Sequence, residues 1–222
     1  MLAILGGLVA AVIAAELASA AGAGDDGVGA VAISIGSAAV VAIGAALLRA
    51  RPRHERRLAV GRKAPLPVAL LVGLGMGIGA LIASGAAFSI GIAIDPSIEA
   101  PLRDLTESLE DVGDSGSWPL VVLVLGLVVL APVGEELVFR GLLLRALVRR
   151  MSFPLAAVIS AIVFALVHLD QYSGGFLWPR TLALVVIGVL LALAYRSHGY
   201  VAAVTAHVVV NGVAAIQLIA AA

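Results

Sequence analysis

The 222-residue chain is 62% hydrophobic and only 13% charged, with a mean hydropathy of +1.13. Fourteen basic residues balance fourteen acidic ones, so the net charge gives no support for a nucleic-acid partner. Cysteine is absent, which excludes disulfides, thiol catalysis and thiolate metal sites. This composition predicts an all-α protein, a polytopic bundle of transmembrane helices.

The apolar runs predict about seven membrane spans, each long enough to cross a hydrocarbon core of roughly 30 Å. The predicted spans are residues 2–21, 28–48, 66–94, 118–151, 153–169, 180–195 and 200–222. A cleaved signal peptide ending near Ala21 is the less favoured interpretation of the first run, because no Lys or Arg precedes it. The short loop after His168 leaves open that one span is re-entrant.

Loop charges predict the orientation in the membrane. The loop at residues 49–63 carries seven basic residues against Glu55 alone: Arg49, Arg51, Arg53, Arg56, Arg57, Arg62 and Lys63. By the positive-inside rule this loop is cytoplasmic and the N-terminus lies inside, while the acidic segment at 95–117 is external. Contact with anionic lipid is the most that the basic loop's charges require. The short Ala- and Val-rich chain favours a bacterial cytoplasmic membrane.

The third predicted span carries glycines at every second position from residue 73 to residue 79. A dinucleotide-binding fingerprint would need a strand-to-helix context, which a continuous apolar run does not provide. Glycines four residues apart on a membrane helix are typical of close helix packing, which is the predicted role here.

Six polar side chains fall deep within the predicted spans, where an Asp, Lys or Arg costs roughly 2.5–3.5 kcal/mol on the insertion scale. They are Glu135, Glu136, Arg140, His168, His207 and Asn211. Glu135 lies as many residues before the turn at Met151 as His168 lies after Ser152, which places both about 24 Å from that turn. His207 and Asn211 rise from the next cytoplasmic turn, at His198 and Gly199, to a similar depth. All six side chains are therefore expected in one layer of the bilayer.

Helical spacing predicts separate roles. Glu136 and Arg140 are four residues apart and can form an ion pair on one helix face, which leaves Glu135 to point at the histidines as a base. His207 and Asn211 are also four residues apart, and Asn211 could donate to a developing oxyanion. A carboxylate with two histidines suits activation of water, by general base alone or with a divalent metal such as zinc on Glu135, His168 and His207. The plainer interpretation is hydrogen bonding that fixes helix packing.

These residues resemble a known family. Glu135-Glu136-x-x-x-Arg140, Phe164-x-x-x-His168 and His207-x-x-x-Asn211, in this order on successive spans, are similar to the three motifs of the CAAX-protease and bacteriocin-processing (CPBP, or Abi) family of intramembrane endopeptidases. The resemblance covers roughly residues 118–212. It divides the chain into N-terminal scaffold helices with an external loop at 1–117 and a catalytic helical core at 118–222.

The resemblance implies that Glu135 activates the hydrolytic water with help from His168. It also implies that His207 and Asn211 complete the site and stabilise the oxyanion. Supporting roles would fall to Glu136, Arg140 and Phe164. Members of the family are described both as metalloproteases and as glutamate-dependent proteases, so a metal stays open. The implied substrate is a peptide or a membrane protein.

Two other classes of function compete with an intramembrane peptidase. A catalytically silent protein of the same fold could bind a membrane-active peptide and act as an immunity protein. A small transporter could relay protons through Glu135 and the histidines. The transporter is less favoured, because paired repeats would place deep polar residues in both halves, whereas here all of them follow residue 130.

Overall fold

The computed structural model describes residue 10 and residues 25–59, 61, 64–96, 121–122, 124–168 and 178–221. Over these ranges the chain is helical and contains no strand, which confirms the all-α prediction. The first predicted span apart from residue 10, nearly all of the external loop at 95–117 and residues 169–177 lie outside the described residues.

The helices are numbered here in chain order. They are α1 (Asp25–Arg49), α2 (Arg53–Ala59), α3 (Leu66–Ile94), the composite helix α4 (Gly126–Leu130, Ala131–Glu136, Leu137–Leu144 and Arg145–Val148), α5 (Phe153–Leu166), α6 (Trp178–His198) and α7 (Tyr200–Ala221). Four of them are long and apolar enough to cross a membrane: Val31–Arg49, Leu66–Ile94, Trp178–His198 and Tyr200–Gln217. About seven spans remains consistent with this architecture.

Helix α5 is shorter than the span predicted at 153–169. It contains 14 residues and therefore rises about 21 Å, less than the roughly 30 Å of a hydrocarbon core. Val167 and His168 form a turn after its last residue, Leu166. His168 consequently stands in the turn at the end of α5 and not within the helix.

Small residues allow the helices to approach closely. The fully buried core positions are mainly alanines, including Ala80, Ala161, Ala192 and Ala206, each 0% exposed. Helix α3 packs against both α6 and α7. Interfaces of this kind depend on backbone proximity and dispersion contacts, because lipid is as apolar as the side chains it would replace.

The predicted glycine packing on α3 holds for two of the four glycines. A Cβ on Gly77 would lie 2.7 Å from the Val209 Cβ and 2.8 Å from the Ala206 carbonyl oxygen, and Gly73 meets Thr205 and Ala202 in the same way. A Cβ on Gly75 or Gly79 would have nothing within 4 Å. Gly73 and Gly77 thus form the contact with α7, while the alternate glycines face away from it.

The Gly77→Ala substitution should therefore destabilise the bundle, because the Ala206 carbonyl is backbone and cannot move aside cheaply. Overpacking of this kind typically costs about 1–3 kcal/mol. The matched control is Gly75→Ala, which should be neutral or stabilising by up to about 1 kcal/mol, since alanine is the better helix former. Reversible unfolding in detergent micelles measures both, and equal stability of the two variants would contradict the assigned contact.

Candidate active site

The acidic motif lies where helix α4 changes its winding. Segments Gly126–Leu130 and Leu137–Leu144 are π-helical and flank the α-helical segment Ala131–Glu136. Pro132, inside that segment, has no N–H and its ring clashes with the carbonyl four residues earlier, so an ordinary helix is not maintained here. Insertions of π-helix are frequent at functional sites because they redirect side chains. Glu135 and Glu136 therefore leave the helix at a position that ideal α-helical geometry does not give.

Two side-chain bonds from α7 support this irregular winding. The Tyr200 hydroxyl donates to the Val133 carbonyl at 2.5 Å, and the Asn211 amide donates to the Leu127 carbonyl at 2.8 Å. In the first π-helical segment the Ala131 N–H bonds to the Gly126 carbonyl, five residues earlier. The next bond in that series would join residue 132 to Leu127, but proline has no N–H to donate. Asn211 satisfies the carbonyl that Pro132 leaves without a partner.

Glu136 and Arg140 form the ion pair that their spacing predicts. Arg140 donates to Glu136 Oε1 at 2.7 Å, and both side chains are 0% exposed. The second terminal nitrogen of Arg140 donates to the Gly188 carbonyl of α6 at 2.9 Å. The guanidinium also lies 5.1 Å from the centre of the Phe164 ring on α5. A buried charge needs this combination of partner and hydrogen bonds to offset its lost hydration.

His207 lies near both carboxylates: its approach to Glu135 was predicted, and its contact with Glu136 was not. Its Nδ1 lies 2.9 Å from Glu136 Oε1, and its Nε2 lies 3.8 Å from Glu135 Oε2. Because Glu136 Oε1 also accepts from Arg140, this oxygen is an acceptor and the Nδ1 atom of His207 carries the hydrogen and donates. In the neutral imidazole, Nε2 is then an acceptor that faces Glu135.

His168 reaches the same carboxylate from the end of α5. Its Nδ1 lies 2.7 Å from the Phe164 carbonyl oxygen, which can only accept, so this nitrogen also carries the hydrogen. The Nε2 atom lies 3.7 Å from Glu135 Oε2. The Phe164 ring lies 4.5 Å from the His168 ring and 5.7 Å from the His207 ring, centre to centre. Phe164 thus packs against both imidazoles and against Arg140.

The result is a convergence of three acceptor atoms: Glu135 Oε2, His168 Nε2 and His207 Nε2. Their separations of 3.7 and 3.8 Å exceed the range of a direct hydrogen bond. Among the described residues Glu135 Oε2 has no hydrogen-bond donor. Acceptors that face one another repel unless a donor lies between them, and gaps of this length suit a bridging water. The side chains of Glu135 and His168 are 20% and 13% exposed, although Glu135 Oε2 itself is buried.

Asn211 has one amide hydrogen committed to the backbone. Its bond partner Leu127 lies about two helical turns before Glu135, so Asn211 and His207 contact different levels of α4. The amide carries a second N–H, which is the donor that the predicted oxyanion role would require. No sequence motif pointed to Leu127 as a bond partner. Pro132, within an otherwise helical pattern, could have pointed to it, because a proline always leaves a carbonyl without its usual donor.

The predicted metal ligands are Glu135, His168 and His207. Both histidines present Nε2 lone pairs, as metal ligands do, and zinc ligands about 2.0–2.2 Å from the ion lie about 3.3–3.6 Å apart in a tetrahedral site. The two gaps from Glu135 Oε2, 3.7 and 3.8 Å, are slightly wider than this. Within the described part of the chain no group of three or more His, Asp or Glu side chains is placed to hold a metal ion.

Comparison with known proteins identifies the motif-bearing part of the chain. Residues 117–213 match the family model described as type II CAAX prenyl endopeptidase, Rce1-like. The match includes every residue of the site and confirms the resemblance to the CAAX-protease family. The matched residues do not include helices α1, α2 and α3. Comparison with curated proteins and with solved structures gave no match.

The Asn211–Leu127 bond yields a testable coupling. Asn211→Leu should destabilise the protein by about 1–3 kcal/mol, because the Leu127 carbonyl would be buried without a donor. In a Pro132→Ala background the alanine N–H can donate to the Leu127 carbonyl. Asn211→Leu should then lower the free energy of unfolding by about 1 kcal/mol less than it does in the wild type. Gln217→Leu, on the exposed part of α7, is the control. Additive effects of the Asn211 and Pro132 changes on the free energy of unfolding would contradict the assignment.

Proposed function

We propose, from the premise that residues 117–213 match the type II CAAX endopeptidase family, that this protein hydrolyses a peptide bond within the membrane. The observation that supports this most directly is the position of Glu135 Oε2 between two imidazole Nε2 atoms at 3.7 and 3.8 Å. The histidines come from two other helices, and the neighbouring carboxylate is already bound to Arg140 and His207. One carboxylate is thus structural and the other is available for chemistry.

In the proposed mechanism a water lies between Glu135 and His168. It donates a hydrogen to Glu135 Oε2 while its oxygen attacks the substrate's carbonyl carbon. The C–O bond forms as the carbonyl π electrons move to oxygen, and the water's proton passes to Glu135. Collapse of the tetrahedral intermediate breaks the C–N bond. Glu135 then returns the proton to the leaving amine.

His207 completes the site in this proposal. Its Nδ1–H donates to Glu136, and Arg140 holds Glu136 in place at 2.7 Å. These bonds fix the ring with Nε2 toward the same space that Glu135 faces, 3.8 Å from Glu135 Oε2. We assign Asn211 the role of donor to the oxyanion, through the amide hydrogen that does not contact Leu127.

In the proposed mechanism the Glu135 carboxylate acts as the base without a metal ion. In glutamate-dependent hydrolysis the carboxylate itself removes the proton, and a general base contributes typically about 10²- to 10⁴-fold to the rate. The buried and largely apolar surroundings strengthen each electrostatic interaction with the developing charge.

The N-terminal helices serve in this proposal as scaffold and as walls of the substrate path. Helix α1 packs along the motif helix: a Cβ on Gly134 would lie 3.0–3.1 Å from Val40 and Val41, and Ser34 donates to the Val122 carbonyl. A site at this depth is accessible to a peptide or membrane protein already in the bilayer. We therefore propose a membrane-associated polypeptide as the substrate.

The charge distribution supports a cytoplasmic position for one end of the bundle. Arg149 and Glu55 are 3.2 Å apart, and the Tyr195 hydroxyl donates to the Ala59 carbonyl, so the ends of α4 and α6 meet the basic loop. By the positive-inside rule this end faces the cytoplasm. We propose a bacterial cytoplasmic membrane, with the N-terminus inside and the segment at 95–117 outside.

Glu135→Gln tests the peptidase directly, since it removes the base with little change of shape. Hydrolysis should fall by at least about 10²-fold, the typical contribution of a general base. The measurement compares, by mass spectrometry, the membrane peptides of cells that express the wild-type protein with those of cells that express the variant. Cleavage assays follow on any peptide that accumulates uncut with the variant. Wild-type processing by the variant would contradict the mechanism.

The neighbouring substitution Glu136→Gln distinguishes a structural role from a catalytic one. It leaves Arg140 buried without its counter-ion and should destabilise the fold by about 3–5 kcal/mol. Glu135→Gln should unfold at the wild-type midpoint.

A Glu135→Gln variant that still protects cells from a membrane-active peptide would favour the immunity protein instead.

A further inference from the structure

Helix α1 packs mainly on the motif helix α4. It contacts the segments Gly126–Leu130, Ala131–Glu136 and Leu137–Leu144, so it lies along both π-helical segments and the α-helical segment between them. The match to the CAAX endopeptidase family begins at residue 117, which leaves α1 outside it. A helix outside the matched part of the chain therefore runs beside the entire acidic motif.

The contacts between the two helices follow the same order along both. They are Ser34 on Gly126, Val40 and Val41 on Gly134, and Gly44 on Leu137. Because the residue numbers rise together, α1 and α4 run parallel. Helix α1 is α-helical from Asp25 to Arg49, whereas the winding of α4 changes on both sides of the segment Ala131–Glu136. A regular helix thus lies against an irregular one.

The middle contact lies directly beside Glu135. A Cβ on Gly134 would lie 3.0 Å from Val40 Cγ1, 3.1 Å from Val41 Cγ2 and 3.1 Å from the Val41 backbone nitrogen. Valine side chains are stiff because two heavy atoms branch from Cβ, and the backbone nitrogen moves only with its helix. A side chain at residue 134 therefore requires α1 and α4 to move apart.

Glu135 depends on this contact more than Glu136 does. Glu136 Oε1 accepts from Arg140 at 2.7 Å and from His207 at 2.9 Å. Glu135 Oε2 has no hydrogen-bond partner among the described residues, and it lies 3.7 and 3.8 Å from two imidazole nitrogens. The position of this oxygen is consequently set by the backbone of α4 next to Gly134, and not by a bond to its side chain.

We propose that α1 positions Glu135 for catalysis through the contact of Val40 and Val41 with Gly134. The inference rests on the proposed peptidase, and Gly134 is in it a positioning residue that acts through Glu135. Attack on a carbonyl requires the base, the water and the substrate to be aligned, and a misplacement of about 1 Å can lower the rate about 10²-fold. A change at Gly134 should therefore lower kcat more than it changes KM.

Gly134→Ala tests this in the full-length protein, with a peptide that accumulates uncut in cells expressing Glu135→Gln. The added methyl group should lower kcat about tenfold and change KM by less than about threefold, since it displaces the base and not the substrate. The matched control is Gly44→Ala on the same interface. Its Cβ would lie 3.1 Å from Leu137 Cδ2, the end of a flexible side chain that can turn aside. This control should keep kcat within about twofold of the wild type.

A rescue separates positioning from a general loss of stability. Val40→Ala with Val41→Ala, added to Gly134→Ala, removes both methyl contacts and should raise kcat at least about threefold, because the substitutions are coupled by direct contact. Wild-type kcat in Gly134→Ala, an equal loss in Gly44→Ala or no recovery in the triple variant would each overturn the inference. Wild-type processing by Glu135→Gln would instead overturn the peptidase itself.

A cross-link tests the role of α1 independently of Gly134→Ala, and the chain has no native cysteine to interfere. A Cβ on Gly126 would lie 3.3 Å from Ser34 Cβ, close to the separation of about 3.8 Å in a disulfide. The Ser34→Cys, Gly126→Cys variant should cleave the peptide at the same rate oxidised and reduced, because α1 stays on α4 during turnover. A loss of cleavage on oxidation that a reductant restores would show that α1 moves away, and would overturn the inference.

Discussion

The buried ion pair of Glu136 and Arg140 is the interaction on which the rest of the site depends. Two charges with no exposure inside an apolar bundle are tolerated only when they are paired and hydrogen-bonded. The pair finds most of its partners on other helices: Arg140 bonds the Gly188 carbonyl of α6 and packs on Phe164 of α5, and Glu136 accepts from His207 of α7. Glu136 Oε2 and Arg140 Nε have no hydrogen-bond partner among the described residues. One pair thereby joins four helices and sets the position of both histidines relative to Glu135.

The polar network also gives the bundle a register that its core cannot supply alone. Most buried core residues are alanines, which pack closely but distinguish poorly between neighbouring positions along a helix. We suggest that the ion pair and the Asn211–Leu127 and Tyr200–Val133 bonds select one register, as buried polar residues do in some coiled coils. In the proposed mechanism hydrolysis uses Glu135, which accepts no hydrogen bond from the described residues, whereas Glu136 accepts from Arg140 and His207 through Oε1.

Local helical geometry was enough to predict part of the site. Glu136 and Arg140 are four residues apart on one helix, so their pairing requires no knowledge of the fold. The equal distances of Glu135 and His168 from the turn at Met151 and Ser152 correctly brought them side by side, at 3.7 Å. The bond between His207 and Glu136 could not be predicted this way. It depends on π-helical segments on both sides of Pro132, which rotate the carboxylates away from their ideal α-helical directions.

We propose that the motif's two carboxylates differ: Glu136 is held in an ion pair with Arg140, and Glu135 is reactive. A membrane-permeant carbodiimide, which modifies accessible carboxylic acids in apolar surroundings, tests this directly when the modified residue is located by mass spectrometry. The account predicts modification of Glu135, 20% exposed, in parallel with loss of peptide cleavage, and none at Glu136, which is 0% exposed. Modification of Glu136, or full activity with Glu135 modified, would contradict it.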